Sequence, residues 1–414
     1  MASLDQAASG RPKKPDTSNT FELRLKLKGR YRGIRREQFY VKEVGRFYGW
    51  QQVELETWST QSGEQIPDAC VVPVVRVPTT LPLSLYMEKY DDDRIDSEKY
   101  PDYTDPNRGY KVRTETVLQG HSRDMAAILA WSARESYSLS AVDFVINCMN
   151  LRRVSLTTMK PEEPWSIAVY SYKGVIFLDN NTFQSLVVEP GLESDDETTE
   201  DFIQTLRLGL EVDPQITYTD EYFQEQNYFM YGKKFEDVMK SGGPGDVSYA
   251  GEDVDVRGVR EVKIGTHLLL TSARISCQEP EGELDTLGNY VEIKTVSPLH
   301  EGKAYWFERY KSLQLWTHCA LVGIDAVYCG HSNRSGQLLE IKRYTMDDLA
   351  DFGCRHWYPG EMPSFLNTLL GWVKERVVEG QTYTLTHKGD GLVKLKTAEH
   401  PDVRVKVEEG LNML

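Results

Sequence analysis

The sequence predicts an α+β fold built on mixed β-sheets, and three observations point to it. Strand-like runs at 259–264, 267–275 and 290–295 follow one another directly, and a long helical stretch over 304–322 packs after them. Two further strand-like runs, 324–329 and 337–344, come next, so strands and helices are neither segregated nor strictly alternating. Composition shifts nowhere beyond the first 19 residues, and no internal repeat divides the chain. The expected organisation is therefore a polar, disordered tail over 1–19 and a single catalytic domain over 20–414.

The remaining elements follow in order. Phe21, Leu23, Leu25 and Leu27 alternate with Glu22, Arg24, Lys26 and Lys28, the period of a half-buried strand. Seven basic residues fall between Arg24 and Arg36, which suits either an RNA-facing strand or a solvated one. Acidic and Tyr-rich stretches at 91–93 and 100–110 read as ordered loops, and Met125, Ile128, Leu129 and Trp131 mark a helix over 122–135. Two β-rich runs, 166–170 and 174–178, flank a turn and predict a hairpin. The run 193–201 is a charged loop. Aromatic residues at helical spacing (Phe223, Tyr228, Tyr231, Phe235) predict a helix over 220–239, ended by glycines, with a flexible loop over 241–252. A helix over 363–379 and a hairpin turning at 388–391 close the chain.

At 414 residues the chain can bury a core without disulfides or a structural metal. Its net charge of −15 argues against a general polyanion binder, so any nucleic acid must enter a local basic groove, aided by cations held on carboxylates. The six cysteines (Cys70, Cys148, Cys277, Cys319, Cys329, Cys354) form no zinc-spaced pair and read as reduced thiols. No stretch has the length and apolarity of a signal peptide or membrane helix, so a soluble intracellular protein without a membrane partner is expected. Arg11 to Lys14 have the composition of a short nuclear import signal, which disordered tails also carry by chance.

The chemically informative segment runs from Glu281 to Thr295. On a strand, residues two apart share a face, so Glu283 and Asp285 are expected to point one way with Leu284 toward the core. Glu292 and Lys294 repeat the arrangement around Ile293, and Gly288 and Asn289 can turn the chain so that three carboxylates and one ammonium converge. Carboxylates about 4 Å apart repel by roughly 4 kcal/mol per pair at an effective dielectric near 20, which a hard divalent ion such as Mg²⁺ or Mn²⁺ would relieve. Such an ion would polarise a phosphoryl oxygen, and Lys294 would orient the nucleophile or neutralise developing charge. The competing reading is two ordinary strands with solvated charges.

This pattern resembles the Asp…Glu-x-Lys nuclease core and, more specifically, the DXO family of RNA decapping nucleases, which includes the nuclear partner of the yeast nuclear 5′-to-3′ exoribonuclease. Glu283-Leu284-Asp285 matches the Glu-apolar-Asp motif, and Glu292-Ile293-Lys294 the Glu-apolar-Lys motif. Gly232 to Glu236 matches Gly-x-x-aromatic-Glu, and Arg153 to Thr157 sits where the family has its motif arginine. Weaker echoes occur at Glu43-Val44-x-x-Phe47 and Gly109-Tyr110. The resemblance implies two mixed β-sheets with flanking helices, a pocket for the 5′ end of single-stranded RNA, and two Mg²⁺ or Mn²⁺ ions. Glu236, Glu283, Asp285, Glu292 and the Ile293 carbonyl would hold the ions, and Arg153 and Lys294 would contact phosphates. It also implies removal of incomplete or NAD caps, pyrophosphate release from 5′-triphosphates, 5′-to-3′ digestion in some members, and a nuclear or cytoplasmic location. The sequence departs from the family at Arg152 and Val154, which replace Trp and Gly, and at Trp316-Thr317-His318, where His318 stands in for Gln as a substrate-binding candidate. A different class of reading is a binding partner that stabilises a 5′-to-3′ exoribonuclease, its own site being secondary.

Overall fold

The computed structural model describes residues 20–25, 38–50, 72–84, 125–180, 231–232, 234–240, 254–284, 286–296, 304–333 and 337–412. The strands are β1 (Thr20–Arg24), β2 (Phe39–Trp50), β3 (Leu83–Ser84), β4 (Phe144–Ile146), β5 (Trp165–Tyr172), β6 (Val175–Asn180) and β7 (Val254–Ile264). They continue as β8 (His267–Arg274), β9 (Cys277–Gln278), β10 (Tyr290–Val296), β11 (Ala326–Ser332), β12 (Gln337–Thr345), β13 (Thr382–His387) and β14 (Leu392–Thr397). The helices used below are α1 (125–134), α2 (Cys148–Ser155), α3 (234–240), α4 (Ser312–Val322), α5 (Met346–Gly353), α6 (Glu361–Lys374) and α7 (Pro401–Asn412).

One sheet of nine strands runs β1-β14-β13-β5-β6-β4-β8-β7-β2, and a second of five runs β3-β12-β11-β10-β9. Both are mixed: β4 lies parallel to β6 and β8, and β10 parallel to β11, among antiparallel hairpins. The α+β expectation of two mixed sheets with flanking helices therefore holds. Alternation along each strand explains how helices cover both faces of the larger sheet. Ile167, Val169 and Leu269 pack against Leu151 of α2 and Phe365, Leu366 and Leu369 of α6, while Ala168, Tyr170 and Leu270 pack against Ile128 and Leu129 of α1 and Val403 and Val407 of α7. Each such buried side chain contributes about 1.5–3 kcal/mol.

Three helices escape a periodicity reading for identifiable reasons. Helix α2 is short, and its start is fixed by Asn147, whose side chain accepts from the Asn150 N–H at 2.7 Å. Helix α5 begins at a capping box in which Asp348 replaces the usual Glu opposite Thr345. Helix α7 carries Val403, Val405 and Val407 at strand period, yet Val405 is exposed and the buried residues fall at Val403, Val407 and Leu411. The helix expected over 304–322 is interrupted by a π turn at Phe307–Lys311, closed by Ser312 N–H bonding to the Phe307 carbonyl. The tail, the stretches at 91–110 and 193–201, the loop 241–252, nearly all of the basic run after Arg24 and most of the 220–239 helix lie outside the described residues.

The start of β4 is tied down by Asp143, which accepts from Leu268 N–H at 2.8 Å and pairs with Lys374 of α6. Burial alone would raise this carboxyl's pKa, but the Lys374 ammonium and the Leu268 N–H outweigh it and hold it below its ordinary value. Because the folded-state value lies below the unfolded one, the stabilisation is present above the unfolded pKa and is lost as pH falls through the folded one. Asp143→Asn is expected to cost about 0.5–1 kcal/mol at neutral pH, Lys374 being half exposed. Urea titrations of variant and wild type should converge once the pH has fallen below the folded-state pKa.

Candidate active site

Strand β10 sorts its side chains as the Glu-x-Lys spacing predicts. Val291 and Ile293 pack with Tyr231 and with Phe235 and Met239 of α3, whereas Tyr290 and Val296 pack beneath Leu315 and Cys319 of α4. Glu292 and Lys294 share that second face. Glu292 is only 3% exposed. Its Oε1 accepts from Ser276 Oγ (2.7 Å), Lys294 Nζ (2.9 Å) and Ile293 N–H (3.1 Å), and its Oε2 meets His318 Nε2 at 2.7 Å. Burial by itself would raise the carboxyl's pKa, but Lys294 and His318 prevail and hold it well below the usual range. Burial pushes the His318 imidazole down more than Glu292 pulls it up, so the ring is read as neutral with its proton on Nε2. Its Nδ1 is buried without a partner among the described residues.

Further cations gather around Lys294 and His318. Lys311, the last residue of the π turn, has its pKa lowered first by burial and then by Lys294, Arg152 and Lys160. No hydrogen-bond acceptor or acid pairs with Lys311 among the described residues. Arg152 and Lys294 also act on His318. Arg153 is placed differently from the sequence expectation: it is exposed, and its charged neighbours are Arg152 and Glu163. Leu151 and Val154 anchor the buried stripe of α2, and successive helical residues are turned by about 100°, so it is Arg152 that comes within reach of Lys294, Lys311 and His318.

Glu236 on α3 is gripped by Arg274, whose two terminal nitrogens donate at 2.6 and 2.9 Å, and by Lys240 at 2.6 Å. Burial would raise its pKa, but Arg274 and Lys240 lower it. Arg274 and Ser276 hold Glu236 and Glu292 respectively, and residues two apart on an extended chain project to one side about 7 Å apart. The Cys277 thiol feels both carboxylates, which places the two acids in one neighbourhood.

Helix α3 reaches this position because Phe235 lies over Gly330 of β11, where a Cβ would fall 2.7 Å from the ring. Gly330→Val is expected to displace Phe235 and with it Glu236, costing about 1–3 kcal/mol by thermal or urea unfolding.

The Glu283-Leu284-Asp285 segment corrects the strand reading. Strand β9 ends at Gln278, after which Pro280 and Gly282, at φ +110°, turn the chain away. Glu283 is exposed on the resulting loop, and Leu284, 55% exposed, does not face the core. Asp285 lies outside the described residues. Because β9 pairs only with Tyr290 and Val291, the edge of β10 carrying the Ile293 N–H and carbonyl has no strand partner among the described residues. Among those residues no three His, Cys, Asp or Glu side chains converge as a ligand set. Glu236, Glu292 and the Ile293 carbonyl nevertheless suit a hard divalent ion in kind, being ionised or carbonyl oxygens.

Sequence reasoning missed Arg152, Lys160, Ser276 and Lys311. Only Lys311 left a usable signal, since seven residues separate it from His318 and that spacing shares a helix face.

Comparison with known proteins gives the following. The family model described as RAI1 like PD-(D/E)XK nuclease matches residues 88–410. The decapping and exoribonuclease protein of Xenopus laevis is 24% identical over 247 residues, covering 57% of this chain and 54% of that one, so the chain spans about half the length of the curated relative it matches. Among solved structures, Candida albicans Rai1 in complex with pU5-Mn²⁺ superposes with a TM-score of 0.60 at 13% identity, over 94% of this chain and 97% of that one. Rai1 of S. pombe in complex with 3′-FADP gives 0.59 at 14% identity, over 92% of this chain and 100% of that one. At such identities these likenesses speak to the fold.

Proposed function

The chain belongs to the RAI1 like PD-(D/E)XK nuclease family, and we propose that it is a metal-dependent hydrolase of phosphate bonds at the 5′ end of single-stranded RNA. The observation that carries this reading is a cluster of three cations, Arg152, Lys294 and Lys311, of which Lys294 is paired with the buried Glu292 at 2.9 Å. A partly buried ammonium with no acidic side chain paired to it among the described residues is costly, and a bound phosphate is the polyanion that would satisfy it. Like the relatives whose names include decapping and exoribonuclease, and pU5 and 3′-FADP complexes, the substrate would present phosphates to such a seat.

In this scheme Glu292, Glu236, the Ile293 carbonyl and the loop acids Glu283 and Asp285 would hold one or two Mg²⁺ or Mn²⁺ ions. When bound, the metal supplies Lewis-acid polarisation of the phosphoryl oxygen and a more acidic water. Lys294, Lys311 and Arg152 would bind the phosphate oxygens and neutralise charge that develops on them, with Arg153 at the outer rim. His318, a neutral ring donating through Nε2, would keep the Glu292 carboxylate ionised and aimed. Glu236 would have to exchange its Arg274 and Lys240 contacts for the ion.

The finer activities included in the proposal are removal of incomplete and NAD caps, pyrophosphate release from 5′-triphosphates, and stepwise 5′-to-3′ digestion, by one catalytic domain over 20–414 acting in nuclear RNA quality control. A second reading, a weakly catalytic partner that stabilises a 5′-to-3′ exoribonuclease, draws on the ion pairs that already occupy Glu236. A product-release assay separates the two. Purified protein would be given RNA with triphosphate, unmethylated cap, methylated cap, NAD or monophosphate 5′ ends, in Mg²⁺, Mn²⁺ or EDTA. Metal-dependent release is expected, and its product names the activity. A folded protein that releases nothing from any substrate would favour the partner role.

A further inference from the structure

We propose that Arg274 is a resident cation of this centre, whose guanidinium competes with a divalent ion for Glu236 and so sets the metal affinity; this rests on the metal-dependent reading above. An ion reaches the Glu236 carboxylate only by displacing Arg274. The contact between the two is fork to fork: Nη1 donates to Oε2 at 2.9 Å and Nη2 to Oε1 at 2.6 Å, so both carboxylate oxygens are engaged. Lys240, one turn further along α3, donates a third bond to Oε1 at 2.6 Å. The Glu236 side chain is only 15% exposed, so water screens these pairs little.

The surroundings favour the guanidinium over an ion. Arg274 and Ser276 stand two apart with the buried Ile275 between them, and they reach Glu236 and Glu292 respectively. The segment that touches both acids thus offers hydrogen-bond donors, which satisfy carboxylates, where a hard ion needs further oxygen ligands. Arg257 lies directly opposite Arg274 in the β7–β8 register, on the same face of the hairpin, and adds a second guanidinium to this edge. An arriving ion therefore meets a carboxylate whose charge Arg274 and Lys240 already outweigh. A unit positive charge about 5 Å from a divalent ion weakens its binding by about tenfold even at the dielectric of water, and by more in a partly buried site. Displacement is nevertheless open to Arg274. Its side chain is 40% exposed, so the guanidinium can turn toward solvent while Ile275 and Cys277 stay packed in the cores on either side.

The test is calorimetric titration of Mn²⁺ into the full-length chain after chelation and desalting, with no RNA present. Wild type would be compared with Arg274→Gln, Arg274→Lys and an Arg274→Gln/Glu236→Gln double variant, all shown to be folded by circular dichroism. Arg274→Gln is expected to bind Mn²⁺ about tenfold or more tightly than wild type, and the double variant to lose that gain. Arg274→Lys keeps the charge but surrenders the fork, so it should fall between the two, and it answers the same question if the glutamine variant does not fold. Mn²⁺ binding in the Arg274 variants that is no tighter than in wild type would overturn the competition and leave the metal-dependent reading standing. A gain that survives Glu236→Gln would do the same, since the ion would then sit elsewhere. If neither wild type nor any variant binds Mn²⁺, both fall.

Discussion

Glu292→Gln is expected to reduce metal-dependent release from RNA 5′ ends by about a thousandfold or more. The glutamine fills the same volume, so the change is electrostatic. The carboxylate now accepts from Ser276, Lys294 and the Ile293 N–H and meets the His318 ring. An amide offers one oxygen, and its NH₂ group would either confront Lys294 and the Ile293 N–H or force His318 into its other tautomer. The variant would also leave Lys294 without the acid it pairs with, beside Arg152 and Lys311, so about 1–3 kcal/mol of stability should go with the activity. Release assays and urea unfolding on the same preparation would check both. A variant retaining a tenth of wild-type release would remove Glu292 from the centre of the mechanism.

Arg260→Ala is expected to give the largest loss of stability, about 3–5 kcal/mol in a denaturant titration. Arg260 is 0% exposed, yet it is charged and fixed on three sides. Its Nη1 pairs with Glu43 of β2 at 2.6 Å, its Nε donates to the Val322 carbonyl at the end of α4 at 2.9 Å, and its guanidinium lies 5.8 Å from the Tyr290 ring on β10. Gly258 is required beneath it, because a Cβ there would collide with the guanidinium. Removing the side chain leaves the Glu43 carboxylate with Arg46 alone and opens the joint between the nine-stranded sheet and the helix that carries His318. Activity should therefore fall along with stability. Glu43→Gln, which keeps a polar partner, is expected to cost less. Equal stability of Arg260→Ala and wild type would show that the two sheets are held together by apolar packing alone.

The weak Glu43 echo in the sequence corresponds to a cross-strand ion pair between β2 and β7 within the nine-stranded sheet. Its partner Arg260 is 217 residues away, and no local pattern ties the two together. The same separation explains Arg152 and Lys311, which meet only because α2 and α4 pack against each other. The Glu-apolar-Asp motif failed as a strand for the opposite reason. Its alternation is strand-like, but Pro280 and Gly282 just before it deny the segment a partner strand, and Leu284 is left in solvent.

The sequence by itself determined the α+β class, the β5–β6 hairpin, and strand β10 with its two-faced Val291-Glu292-Ile293-Lys294 pattern and the candidate acid Glu292. These follow from periods of two and of about 3.6 residues, turn chemistry and motif spacing, all readable within a short window of chain. Only the tertiary structure decided which charges share a site. The nearness of Glu236 to Glu292, the placing of Arg152 beside Lys311 and His318, and a partly buried Lys311 without an acid among the described residues depend on strand order, helix rotation and a π turn. Those are outcomes of packing between segments distant in sequence, where the free energy of burying apolar faces, not local propensity, sets position.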